Sequence, residues 1–267
     1  MAGRLKLHVI ASGSKGNASI VEDGATGRCV LVDCGVTKRA LLAGCEASAI
    51  DPARIEAVLV THDHSDHVKG LPVAYRGLAK LGCHPDLFVN DAVFAAVPKM
   101  TEAAELCCRH GMEHGDALSV AGMDVQVFPT SHDAVWSCGF RFECEGDALG
   151  FMTDSGVVTP EAHEALSDVR ILALESNHDL DMLENGSYPY QLKVRVRSDR
   201  GHLSNVQAAR ELSELVSDRL EQVVSMHVSQ NNNTYRLPVD TLEGVVVTMG
   251  ADVHVQTGYQ SQPIDVM

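Results

Sequence analysis

Aromatic side chains are scarce: Phe, Trp and Tyr make up 4% of 267 residues, so the core must be mostly aliphatic. Long apolar runs are missing as well. None approaches the roughly 18 residues of a membrane span. The segment Met1 to Ala11 alternates like a strand and lacks the h-region of a secretory leader. A soluble, cytoplasmic protein without membrane contact is expected. Eight cysteines (Cys29, Cys34, Cys45, Cys83, Cys107, Cys108, Cys138 and Cys144) contain no Cys-x-x-Cys pair. That argues against a zinc ribbon or dithiol redox motif and for buried, reduced thiols. The turn Gly13-Ser14-Lys15-Gly16-Asn17 lacks the Gly-x-x-x-x-Gly-Lys-Ser/Thr spacing of a P-loop. Positive charge is short too, with 21 Lys and Arg against 36 Asp and Glu, a formal charge of −15. This balance weakens a nucleic-acid reading, because polyanion binding draws on Lys and Arg. Local charge must decide it.

Imidazole, by contrast, is concentrated. Thr61-His62-Asp63-His64-Ser65-Asp66-His67 packs three imidazoles and two carboxylates into seven residues, directly after the apolar run Ile55 to Val60. These are ligands for zinc, manganese or iron. A strand that ends in them delivers them to a sheet edge, where open-sheet sites lie. Three further residues stand where short apolar runs stop: His132, Asp154 and His227.

Strands are expected at 5–11, 18–22, 28–33, 55–60, 86–89, 169–175 and 222–227, with a strand-rich stretch at 116–153. Helices are expected at 37–44, 70–81, 91–97, 159–166, 178–184 and 204–219, then a helix and a strand between Leu242 and Val255. Strands followed by helices, twice over, fit an α/β arrangement of two sheets packed face to face with helices outside. The length suits one domain over residues 1–267.

The pattern His-x-His-x-Asp-His, with His132, Asp154 and His227 in order, resembles the metallo-β-lactamase superfamily. Ser12-Gly13-Ser14-Lys15-Gly16-Asn17-Ala18, Glu175-Ser176-Asn177-His178-Asp179, Tyr188-Pro189, Gly201-His202-Leu203-Ser204-Asn205 and His227 to Asn233 resemble its YycJ/WalJ-type single-domain branch across nearly the whole chain. Val228 departs from the Leu usual there. The resemblance implies an αββα sandwich of two mixed sheets. It implies two divalent metal ions, zinc or manganese with iron admissible. His62, His64 and His132 would hold one, Asp66, His67 and His227 the second, and Asp154 would bridge them, leaving a position for a bridging water or hydroxide. It further implies a nuclease, a DNA exonuclease of the mismatch-repair type. The 227 − 154 = 73 residues from Asp154 to His227 leave no room for a β-CASP insertion.

His202 resembles the His that assists phosphodiester cleavage in ribonuclease Z-like enzymes, and it is expected, with Asp66, to act in catalysis. Ser204 and Asn205 stand at a helix start, which attracts phosphate, and are candidate phosphate contacts. Lys193, Arg195 and Arg197 alternate and would share one face if extended, either as a phosphate-tracking patch or as a charged edge strand. Ser14 is a further candidate phosphate contact through the resemblance. Glu175 and Asp63 are candidates to orient metal-bound imidazoles, and His178 is a lesser ligand candidate. The alternative function is hydrolysis of a small thioester or lactone, which needs an apolar acyl pocket and no basic patch.

Overall fold

Leu5, Leu7 and Val9 enter one apolar cluster, whereas Ile10 and Ala11 of the same strand enter another. A strand buried on both faces needs a layer on each side. The computed structural model, which describes residues 4–267, has that architecture. Strands β1 (Leu5–Ala11), β2 (Ala18–Asp23), β3 (Cys29–Val32), β4 (Ile55–Leu59), β5 (Asp86–Phe88) and β6 (Arg109–His110) build the first sheet. Strands β7 (Ala117–Val120), β8 (Met123–Pro129), β9 (Cys138–Cys144), β10 (Asp147–Met152), β11 (Ile171–Glu175), β12 (Gln222–Met226) and β13 (His254–Thr257) build the second. The final strand, β14 (Ile264–Val266), returns to the first sheet and pairs antiparallel with β1. The orders are β14-β1-β2-β3-β4-β5-β6 and β13-β12-β11-β10-β9-β8-β7. In each sheet one half is antiparallel and the half that feeds the site is parallel: β3 to β6, and β10 to β13.

Parallel neighbours need crossovers, which place helices outside. On the first sheet these include α1 (Lys38–Ala47), α2 (Ser65–Val68), α3 (Leu71–Ala79), α4 (Asp91–Ala96) and α5 (Thr101–Ala104). On the second side lie α6 (Pro160–Leu166), α7 (Leu180–Asn185), α8 (Tyr190–Arg197), α9 (Asn205–Leu215) and α10 (Leu237–Met249). Leu41, Cys45, Leu71 and Tyr75 pack α1 and α3 onto the first sheet. Ala162, Leu166, Leu212 and Leu242 pack α6, α9 and α10 onto the second. Between the sheets, Leu7 and Leu59 meet Phe140, Phe142, Phe151 and Ile171. The few Phe residues are thus spent largely where the two sheets meet.

Most expected elements form, and three differences have physical reasons. Residues 190–197 are helical rather than extended, because Leu192 and Val196, four apart, give the segment an inward face. The expected helix at 204–219 ends at Leu215, where Val216 turns extended with φ −59° and ψ 122°. Strand β14 falls beyond the last strand expected. No described helix is long and apolar enough to cross a membrane. The cysteines are all unpaired, and five of them are buried.

Candidate metal centre

The strands that run parallel end at one edge of the sandwich, and the polar residues follow their ends. His62 lies just past β4, Asp154 just past β10, Glu175 closes β11, and His227 follows β12. His132 follows β8 from the neighbouring antiparallel half. Asp33, Asp154 and His227 take left-handed backbone, with φ of 59°, 57° and 55°. They are three of the seven non-glycine residues of positive φ among the described residues. Each such residue costs on the order of 1 kcal/mol or more, and such costs gather where a side chain must be aimed. Gly35 serves the same end by absence. A Cβ there would lie 1.5 Å from the carbonyl oxygen of Asp66, so only glycine lets the turn carrying Asp66 and His67 pack so closely.

Four groups of side chains bring ligand atoms within 4.8 Å of one another: His62, His64 and His132; Asp66, His67 and His227; and two that contain Asp154, one with His62 and His67 and one with Glu175, His202 and His227. Asp154 touches both of the first two. Its Oδ1 lies 3.7 Å from His132 Nε2 and 3.6 Å from His227 Nε2, and its Oδ2 lies 3.2 Å from His67 Nε2. His62 Nε2, His227 Nε2 and Asp154 Oδ2 are buried and make no hydrogen bond. A buried polar atom left unpaired costs about 1–3 kcal/mol. Three of them in one imidazole–carboxylate cluster suit a divalent cation, and the residues present fit one.

The imidazoles are held from behind. Asp33 Oδ2 accepts from His67 Nδ1 at 2.7 Å and is itself fixed by the Thr61 amide and hydroxyl. The Gly201 carbonyl accepts from His132 Nδ1 at 2.9 Å. Glu175 Oε1 lies 2.8 Å from His202 Nδ1 and 3.2 Å from His227 Nδ1, while its Oε2 accepts from the Ser155 and Leu203 amides. Such partners fix the tautomer and leave Nε2 for the metal. His64 differs, turning Nδ1 to within 3.2 Å of His132 Nε2. The Gly-rich loop closes the arrangement: Asn17 Nδ2 lies 2.9 Å from His67 Nε2, and the Ser12 hydroxyl accepts from the His227 amide at 2.7 Å.

Burial disfavours charge on all these rings, but the surroundings divide them. Burial pushes His62 well below the ordinary imidazole range and lowers His132. At His67 burial is overruled by Asp154 and Asp33, which hold it well above that range. At His227 Asp154, Asp66 and Glu175 overcome burial and raise it to about 10. Burial likewise favours a neutral Glu175, yet His202 and His227 bring it down to about 2.

A cleft of about 210 Å³ opens over the cluster, lined by Ser14, Asp66, Asp154, Arg195, His202 and His227, among others. A larger cavity, about 640 Å³, lies against α10 and β13 and contains none of the clustered ligands. Chemistry rather than volume therefore locates the site. The expected phosphate contacts separate. Ser14 and Arg195 line the cleft, and Arg195 Nε donates to Asp133 at 2.5 Å. Lys193 and Arg197 lie on the other side of α8, so the one face they were expected to share with Arg195 does not form, a correction that follows from helical rather than extended backbone. Ser204 and Asn205 are buried and engaged elsewhere. Ser204 caps α9 in a capping box with Gln207, and Asn205 pairs with Ser176 and Asn233. Contact of their side chains with a phosphate is corrected accordingly. His178 is fully buried and belongs to none of the ligand groups. Asp63 binds the Val135 amide rather than an imidazole.

Residues 28–228 match the family described as the beta-lactamase superfamily domain. The chain belongs to the metallo-β-lactamase superfamily. It is 31% identical over 218 residues to a Streptococcus pneumoniae protein named exodeoxyribonuclease WalJ, covering 79% of this chain and 78% of that one. It is 30% identical over 199 residues to exodeoxyribonuclease YycJ of Bacillus anthracis, covering 74% of each. The metallo-β-lactamase fold protein YhfI of Bacillus subtilis superimposes with a TM-score of 0.76 at 15% identity, over 98% of this chain and 99% of that one. This metallo-β-lactamase family member is of the YycJ/WalJ type and a metal-dependent hydrolase.

Within this superfamily member, sequence reasoning missed Asp33, Asn17, Ser12 and Asn177, which all contact the ligand residues. Asp33 carried a faint signal, since it too ends an apolar run, Cys29 to Val32. Asn17 lay inside the quoted Gly-rich loop but offered no ligand chemistry of its own.

Proposed function

We propose that the chain is a dinuclear-metal-dependent phosphodiesterase, a DNA exonuclease of the mismatch-repair type, with residues 1–267 as one catalytic domain without a β-CASP insertion. The observation that carries the proposal is Asp154 lying between two ligand groups at the floor of a narrow cleft. The names of the relatives, both exodeoxyribonucleases, support nucleic acid as substrate. Eight cysteines, none of them in a disulfide, support a reducing, cytoplasmic setting.

In this reading His62, His64 and His132 would hold one metal and Asp66, His67 and His227 the other, with Asp154 available to both. Bound divalent ions, zinc or manganese with iron admissible, supply an activated water and neutralise charge on the phosphate. Asp66 faces the cleft and is held ionised: burial would raise its pKa, but His227 and His67 lower it. It would accept a hydrogen bond from the attacking water and so orient it. Ser14 and Arg195 hold the phosphate, Arg195 exchanging the Asp133 carboxylate for phosphate oxygens by the same bidentate geometry. His202, with Nδ1 2.8 Å from Glu175 and its ring at the cleft, would stabilise the phosphorane oxygens or help the leaving group.

End-labelled single- and double-stranded DNA, incubated with Mn²⁺ or Zn²⁺ beside the His64→Ala protein, tests this. Metal-dependent cleavage by the wild type alone supports the nuclease, and the product ladder gives polarity. No cleavage by a metal-loaded wild type would favour the thioester or lactone hydrolase instead. His202→Ala is expected to lower kcat about 100- to 1000-fold with metal content nearly intact. An equal loss of metal would remove His202 from catalysis.

A further inference from the structure

Helix α8 has two faces, and only one belongs to the cleft. Leu192, Arg195 and Val196 line the cleft. Tyr190, Lys193, Val194 and Arg197, spaced i, i+3, i+4 and i+7, form a stripe on the opposite side. Tyr190 is 76% exposed and Val194 51%. Together with Glu184 and Ser198 the stripe lines a groove of about 260 Å³. We infer that this outer face of α8 is a platform for the nucleic-acid strand beyond the cleft, stacking a base on Tyr190 and holding phosphates with Lys193 and Arg197. The inference rests on the nuclease reading above.

Charge favours this occupant. The outer groove holds two cations, Lys193 and Arg197, against one anion, Glu184, so 2 − 1 = +1 in a chain of formal charge −15. The outer cations are weakly held. Arg197 pairs with the exposed Glu184 carboxylate, and Lys193 Nζ donates to the Glu184 carbonyl at 2.6 Å. Exposed pairs of this kind contribute little net stability, so a phosphate can displace the carboxylate. A flat ring flanked by cations suits a nucleic-acid strand, whose bases stack on aromatic faces whatever their sequence. Reach is adequate too. A helix with its side chains is about 10–12 Å across, about three nucleotides at a rise of ~3.4 Å. A strand with one phosphate at the metals therefore reaches Tyr190 within a few residues.

Steady-state cleavage of a thymidine dinucleotide and a thymidine dodecamer by the full-length metal-loaded protein tests the platform. Tyr190→Ala should raise KM for the dodecamer about 5- to 100-fold, the range that one stacked base supplies. A Lys193→Glu, Arg197→Glu double variant should raise it as well and reduce the salt slope by about 1.4, for two single-strand phosphates. The dinucleotide is too short to span the helix, so the dodecamer-to-dinucleotide ratio of kcat/KM falls in both. Glu184→Gln, which frees Arg197, should lower the dodecamer KM. Equal losses on both substrates, or an unchanged dodecamer KM with metal content and melting intact, would overturn the platform and leave the face to another partner, such as a protein. Failure of the wild type to cleave either substrate would overturn the nuclease reading, and the platform with it.

Discussion

The two ligand groups that meet at Asp154 are opposites in their proton chemistry. His62 and His132 are kept neutral by burial, with a backbone carbonyl behind His132. His67 and His227 are equally buried, yet Asp33, Asp66, Asp154 and Glu175 hold protons on them. The same residue type thus has opposite tendencies a few ångströms apart, decided by the carboxylates each ring faces. His62 and His132 would be ready to bind a cation at neutral pH. The second group must give up protons first, and in return supplies more negative charge to hold the ion.

The largest effect should come from removing what the groups share. Asp154→Ala should cost on the order of a thousandfold or more in turnover and lose metal from both groups, because each loses a ligand. Metal analysis beside kinetics checks this, and unchanged metal content would mean that Asp154 is no ligand. Asp33→Asn separates the groups. It keeps the size of the side chain but removes the charge behind His67, and should weaken metal binding at the second group about 10- to 100-fold while sparing the first. Competition with a chromophoric chelator measures both, and an equal loss at both groups would erase the distinction.

Proton release is a smaller and more direct signature. With its pKa near 10, His227 carries a proton at neutral pH before metal arrives, and Nε2 must lose it to coordinate. Metal affinity at the second group should therefore rise about tenfold per pH unit below about 10 for each proton expelled, and level off above. Calorimetric titration in buffers of different ionisation enthalpy counts the protons. The expected result is at least one released per chain at neutral pH, and none would contradict the assignment. The smallest effect lies outside both groups. Ser204→Ala removes the cap of α9 and should cost about 1 kcal/mol, about 2–4 °C in Tm, without loss of metal.

Legibility in the sequence followed the same division. The clustering of these residues could be read because they follow the ends of apolar runs, and strand ends gather at a sheet edge. Asp33 stands in the same kind of place, but its function depends on β3 lying beside β4, a parallel pairing made across α1. Nothing local announces that pairing. Glu175 was readable as a carboxylate near imidazoles, but not as the shared partner of His202 and His227, which come from distant segments. The stretch from Lys193 to Arg197 misled because its period of two suits a strand. The packing of Leu192 and Val196 makes it a helix, and so parts Arg195 from Lys193 and Arg197. At Ser204 and Asn205 the helix start was legible, whereas burial of that start came only with the fold.

The central claim is that two unlike ligand groups act together through Asp154. Stepwise return of Mn²⁺ or Zn²⁺ to the metal-free protein, with bound metal and DNA cleavage followed in the same samples, tests it most directly. Little cleavage through the first equivalent, then a rise to full activity with the second, is the predicted result. Full turnover at one equivalent, or two equivalents bound with no turnover, would contradict it.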